Sequence, residues 1–223
     1  MFDRITPIVK QLLIANVAIF IISNLAQQFF YSNFAFFNPL LPNNEQLFNP
    51  NFEPWQVVTY MFMHGGLGHL FSNMFGLFIF GSALESFMGS KKFLIYYIIT
   101  GIGAAVLNSV LNTYEMSQLL ADSELYWRQA VTPMVGASGA IFGILVAFGV
   151  LFPNTELMLL FFPVPIKAKY FVILYGLYEL YAGTAGLQAG IAHFAHIGGL
   201  VTGLILLKFF GFDQRQGHNF RKW

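Results

Sequence analysis

Ser138 lies in Gly136-Ala137-Ser138-Gly139, at the opening of the apolar run Ala140–Phe152. A hydroxyl among small residues at the first turn of an apolar helix either bonds a carbonyl one turn back or takes part in chemistry. The second marked residue is His196, in Gly190-Ile-Ala-His193-Phe-Ala-His196-Ile-Gly198-Gly199, early in the last apolar run. An imidazole inside a membrane span is costly and marks a candidate functional site. A serine becomes a useful nucleophile when an adjacent base takes its proton. The chemistry to expect is acyl transfer, provided that Ser138 and His196 meet.

The usual third member of such a set is a carboxylate that orients the imidazole. The aspartates Asp3, Asp122 and Asp213 all fall outside the apolar runs, which excludes aspartyl intramembrane chemistry. Glu85 and Glu179 lie in or near apolar runs. Glu85 falls toward the opposite end of its run; Glu179 stays open, with a Ser–His dyad the more economical reading and a water or a tyrosine the expected partner of Glu179. Acyl transfer also needs donors aimed at the developing oxyanion. The Ser138 N–H, free at a helix N-terminus, is one. His69 and Asn73 are i and i+4, so they share a helix face and read as a donor pair. His193 is expected to be a wet or loop residue, His64 structural and His218 inert. Metal binding is the rival for clustered histidines, but there is no His-Glu-x-x-His, and no intramembrane carboxylate is expected beside His193 and His196. No metal and no cofactor is therefore expected.

The elements that must position these residues follow from composition. The chain has 223 residues, 57% hydrophobic and only 9% charged, against about 25% charged in a soluble domain. An all-α polytopic membrane protein is the expected class. A net charge of +1 argues against nucleic acid, and the absence of cysteine excludes disulfides and thiolate sites. A span needs roughly 20 apolar residues. Six candidates stand at about 11–30, 67–87, 93–114, 136–152, 169–185 and 188–210, within one membrane domain covering 1–223. The first run reads as a retained span rather than a signal peptide. Residues 31–56 read as a semi-ordered interfacial loop, and 153–168, with Pro153, Pro163 and Pro165, as an interfacial hairpin.

Six spans with both ends on one side give that side ten Lys and Arg and leave the other only Arg128, so both termini are expected in the cytoplasm. Ser138 then lies near the outer end of span four. His196, about eight residues into span six, lies roughly 12 Å below its outer end. Ala192, Ala195, His196, Gly199 and Gly203 fall on one helical face, and small residues allow close helix approach.

The set resembles the rhomboid intramembrane serine proteases in their bacterial six-span form. The matching residues are Trp55, His64 with His69-x-x-x-Asn73, Glu85-x-x-x-Gly89, Gly136-x-Ser138-Gly139 and Ala195-His196-x-x-Gly199-x-x-x-Gly203. The resemblance implies a six-helix bundle and a Ser138–His196 dyad. It implies His69, Asn73 and the Ser138 N–H at the oxyanion, with Gly136, Gly139, Phe142 and Gly199 supporting. Span five would be a lateral gate. Substrates would be single-span membrane proteins in the bilayer, cut near their outer ends after small residues, and the location a bacterial cytoplasmic membrane. Two departures stand out: Gln56 replaces an arginine that follows the tryptophan, which puts a stabilising contact of loop one in doubt. Phe142 replaces a tyrosine packed on the histidine. The rival readings are an inactive rhomboid-like protein that binds membrane helices and, more weakly, a small transporter.

Overall fold

The computed structural model describes residues 5–159, 162–186 and 192–212. Helix α1, Pro7–Leu25, opens with proline at its first turn, where the missing N–H costs nothing. It ends earlier than the expected 30. Near its end Ser23 Oγ and Asn24 Nδ2 both donate to the Phe20 carbonyl, at 3.0 and 2.7 Å. A bend at Ala26 leads into a separate helix α2, Gln27–Phe34.

Loop one is ordered. It runs from α2 to the short helix α3, Gln56–Thr59, and a 3₁₀ turn, Tyr60–Phe62. Gln56 is fully buried. Its Oε1 accepts from Phe37 N at 3.4 Å and its Nε2 donates to the Asn51 carbonyl at 3.0 Å. An amide thus ties the loop where an arginine was missed, which corrects the doubt raised by that departure. Trp55 Nε1 donates to the Asn33 carbonyl at 2.9 Å.

The next span is α4, Leu67–Gly76, continued by a π turn, Leu77–Gly81, and α5, Ser82–Met88. Gly89 at φ 79° turns the chain straight into α6, Ser90–Ser117, which is why α6 begins a turn before the expected residue 93. Glu85 fastens this corner to α1. Its carboxylate accepts from Ile8 N at 3.0 Å, Val9 N at 2.9 Å and Ser90 Oγ at 2.6 Å, an anion at a helix N-terminus. Helix α7, Glu124–Val131, is capped by Ser123 and leads to α8, Ser138–Leu151. A two-stranded hairpin follows, β1 Glu156–Leu159 and β2 Phe162–Lys167, then α9, Ala168–Thr184, and α10, His193–Phe209. The hairpin forms where the prolines argued against helix, so the expected all-α chain carries one small antiparallel sheet.

Helix α8 is the centre of the bundle, buried along nearly all of its length. Lipid tails give apolar helices no reason to leave them for one another, so close packing of small residues has to hold such a bundle together. Here Gly139 and Gly143 face Ala104 and Thr100 of α6, and Gly199 lies against the Gly139 backbone. Gly203 meets Tyr96 and the Gly143 Cα. By contrast α1 and α9 expose broad apolar faces, including Ile14, Ile21, Ile173 and Leu177. Pro7–Leu25, Leu67–Met88 and Ser90–Ser117 are long and apolar enough to cross a membrane; Ser138–Leu151 and His193–Phe209 are shorter apolar helices.

Candidate active site

Ser138 is the first residue of α8, and its N–H is one of the helix's unpaired donors. The backbone reaches it through Gly136, whose φ of 120° is a conformation L side chains rarely adopt. Gly136 N donates to the Tyr60 carbonyl at 2.9 Å, and Phe36 and Met134 exchange backbone bonds of 2.9 and 2.8 Å. Loop one therefore sets the approach to the serine. A Cβ on Gly136 would lie 2.6 Å from His69 Cε1 and Nε2, so the His69 ring rests against the backbone two residues before Ser138.

His196 belongs to the first turn of α10, not to a point some 12 Å inside it; α10 begins at His193, and the expected start at 188 lies outside the described residues. Its Nε2 is 2.8 Å from Ser138 Oγ. The hydroxyl is thus turned across to the histidine rather than back to a carbonyl of its own helix. The Phe142 ring stacks on the imidazole at 4.2 Å with an interplanar angle of 11°. Asn73 is buried, and its Nδ2 donates to the His69 carbonyl at 2.9 Å. His64 stands 5.2 Å from His69, ring to ring. Burial, then the neighbouring His69, push it down to about 4, so it is neutral at physiological pH.

Two expectations fail. His193 is not a wet loop residue but is 4% exposed, and the partners of Glu179 among the described residues are two histidines rather than a tyrosine. Glu179 Oε2 lies 2.6 Å from His193 Nδ1 and 2.8 Å from His196 Nδ1. The premise that no carboxylate stands near the two histidines is thereby corrected. Part of the signal was available: Glu179 is five residues from the end of α9, and α10 runs back from His193. Antiparallel neighbours put those positions at similar levels on the expected spans and on the observed ones alike; what the sequence lacked was which faces of the two helices meet.

The sequence profile of the Rhomboid domain matches residues 51–211. The chain belongs to the rhomboid family. With its apolar helices, this makes it a multi-pass integral membrane protein. Among rhomboid relatives, it is 37% identical to Rhomboid protease AarA of Providencia stuartii over 159 residues, 68% of this chain and 54% of that protein. It is 33% identical to RHOMBOID-like protein 6, mitochondrial, of Arabidopsis thaliana, over 69% of this chain and 43% of that one. With RHOMBOID-like protein 12, mitochondrial, of the same plant, identity is 28% over 89% of this chain and 56% of the relative. The chain spans about half the length of these curated relatives.

Proposed function

We propose that this rhomboid is an intramembrane serine endopeptidase working through Ser138 and His196. The observation that carries the reading is the 2.8 Å approach of Ser138 Oγ to His196 Nε2. Ser138 Oγ attacks the scissile carbonyl carbon while His196 Nε2 takes the hydroxyl proton. That proton passes to the leaving amine nitrogen as the peptide bond breaks, leaving an ester on Ser138. Water then attacks the ester, again giving up its proton to His196, and frees the carboxylate and the serine. The Ser138 N–H, with His69 and Asn73, supplies the donors for the oxyanion.

The placement proposed is one membrane domain of six spans, with α8, α9 and α10 as the last three. Lys91 and Lys92 start α6, Lys167 and Lys169 flank the start of α9, and Lys208 ends α10. Lys92 Nζ stands 5.0 Å from the Phe212 ring, joining two of these places. That basic end faces the cytoplasm with both termini, in a bacterial cytoplasmic membrane, and Ser138 faces outward. Substrates are single-span membrane proteins cut near their outer ends after small residues, entering past α9. The test is purified protein in liposomes with a designed single-span substrate carrying Ala-rich and bulky cut sites. Cleavage near the outer end, absent in His196→Ala, is expected; an intact substrate with folded parent protein favours a helix-binding rhomboid-like protein instead.

A further inference from the structure

We infer that Glu179 is a positioning residue for His196, making a Ser138–His196–Glu179 set whose carboxylate is itself held by His193. This rests on the serine-protease reading above and adds to it the source of the base's orientation.

One oxygen, Oε2, serves both rings, 2.8 Å from His196 Nδ1 and 2.6 Å from His193 Nδ1. An ionised carboxylate only accepts, so each Nδ1 must carry a hydrogen. With the proton of a neutral His196 on Nδ1, its Nε2 presents a lone pair, and that is the atom facing Ser138 Oγ at 2.8 Å. The productive tautomer is therefore selected by Glu179. Phe142 holds the ring plane by stacking on one face, and its ring also meets that of Tyr175 of α9, at 4.8 Å.

All three groups are buried, with Glu179 3%, His193 4% and His196 8% exposed. An isolated carboxylate there would be expelled from its charged state. Two N–H donors and the first turn of α10, where a helix favours negative charge, compensate it. His193 thus has a reason to be buried: it fixes the rotamer of Glu179 from the same turn that carries the base. Glu179 lies on α9, so the carboxylate also couples the base to the helix that lines substrate entry in the proposed function.

The same three groups bring ligand atoms within 4.8 Å of one another, so a metal is the alternative. Tetrahedral zinc, with ligands at about 2.0–2.2 Å, spaces neighbouring ligand atoms about 3.3 Å apart. The observed 2.6 and 2.8 Å are hydrogen-bond lengths instead.

The test combines kinetics with imidazole ¹⁵N NMR on the full chain in detergent. In histidine-labelled Ser138→Ala protein, His196 is expected as the neutral tautomer with its proton on Nδ1, whether or not the parent proves to be a protease. Adding Glu179→Gln, whose amide can donate to Nδ1, should move that proton to Nε2. In the active background Glu179→Gln should lower kcat by about 10³–10⁴-fold with KM within threefold, as loss of the correct tautomer does. Glu179→Asp should recover at least about tenfold of that loss, and His193→Ala should cost about 10–100-fold, as outer supporting partners do. An Nε2–H tautomer in Ser138→Ala protein would overturn the inference even if Glu179 variants unfold. So would Glu179→Gln with unchanged Tm and kcat within threefold of the parent, or activity lost to a chelator and restored by zinc. Cleavage surviving Ser138→Ala would instead sink the serine mechanism, leaving the tautomer result to stand or fall separately.

Discussion

Gly199→Ala probes whether the seam between α8 and α10 sets the working distance. A Cβ at residue 199 would overlap the Gly139 carbonyl oxygen and lie 2.8 Å from the Gly139 carbonyl carbon. Ordinary carbon–carbon contact begins at about 3.5 Å, so the helices must part by at least about 0.7 Å. Both contact points adjoin the chemistry: Ser138 precedes Gly139, and His196 is three residues before Gly199. Carrying that displacement to the pair opens the 2.8 Å Oγ–Nε2 approach to about 3.5 Å, beyond useful hydrogen bonding. A misplacement near 1 Å costs about 10²-fold in rate, and overpacking costs about 1–3 kcal/mol of stability. Fluorophosphonate labelling rate and substrate kcat, read below the lowered Tm, should therefore fall about 10²-fold. A folded Gly199→Ala protein within threefold of the parent would refute the idea that this glycine fixes the geometry.

Phe142→Ala should remove a stack worth about 0.5–1.5 kcal/mol and slow kcat up to about tenfold, while Phe142→Tyr, keeping the ring, should change cleavage far less than a hundredfold; a larger change in either assay counts against simple stacking. Glu85→Ala strips the acceptor from Ile8 N, Val9 N and Ser90 Oγ and should cost about 1–3 kcal/mol. It should lower Tm with labelling of Ser138 nearly unchanged, and an unchanged Tm would contradict the anchoring role. His64, pushed from 6.5 down to about 4, is neutral when folded but binds a proton first when unfolded. Its contribution is present above about 6.5 and is lost as pH falls toward about 4. Denaturation across that window should show stability declining with acid, and His64→Gln should flatten the slope.

Residue types at fixed spacing made much of this legible. His69-x-x-x-Asn73 must share a face once it is helical, and Gly199-x-x-x-Gly203 must form a seam, so both survive any error of a few residues in helix ends. Prolines at 163 and 165 announced the hairpin. What escaped detection were contacts between parts of the chain distant in sequence. Gln56 serving loop one as an amide depends on where Phe37 and Asn51 lie. The Glu179 contact depends on which faces α9 and α10 turn toward each other, and hydropathy alone does not give that. Nor does it foresee the bend at Ala26 between α1 and α2.

The most direct measurement is intact and peptide mass spectrometry of the purified protein after reaction with a fluorophosphonate. A single adduct on Ser138, lost in His196→Ala, is the predicted result. Labelling at another residue, or an adduct on Ser138 formed at an undiminished rate without His196, would contradict the account.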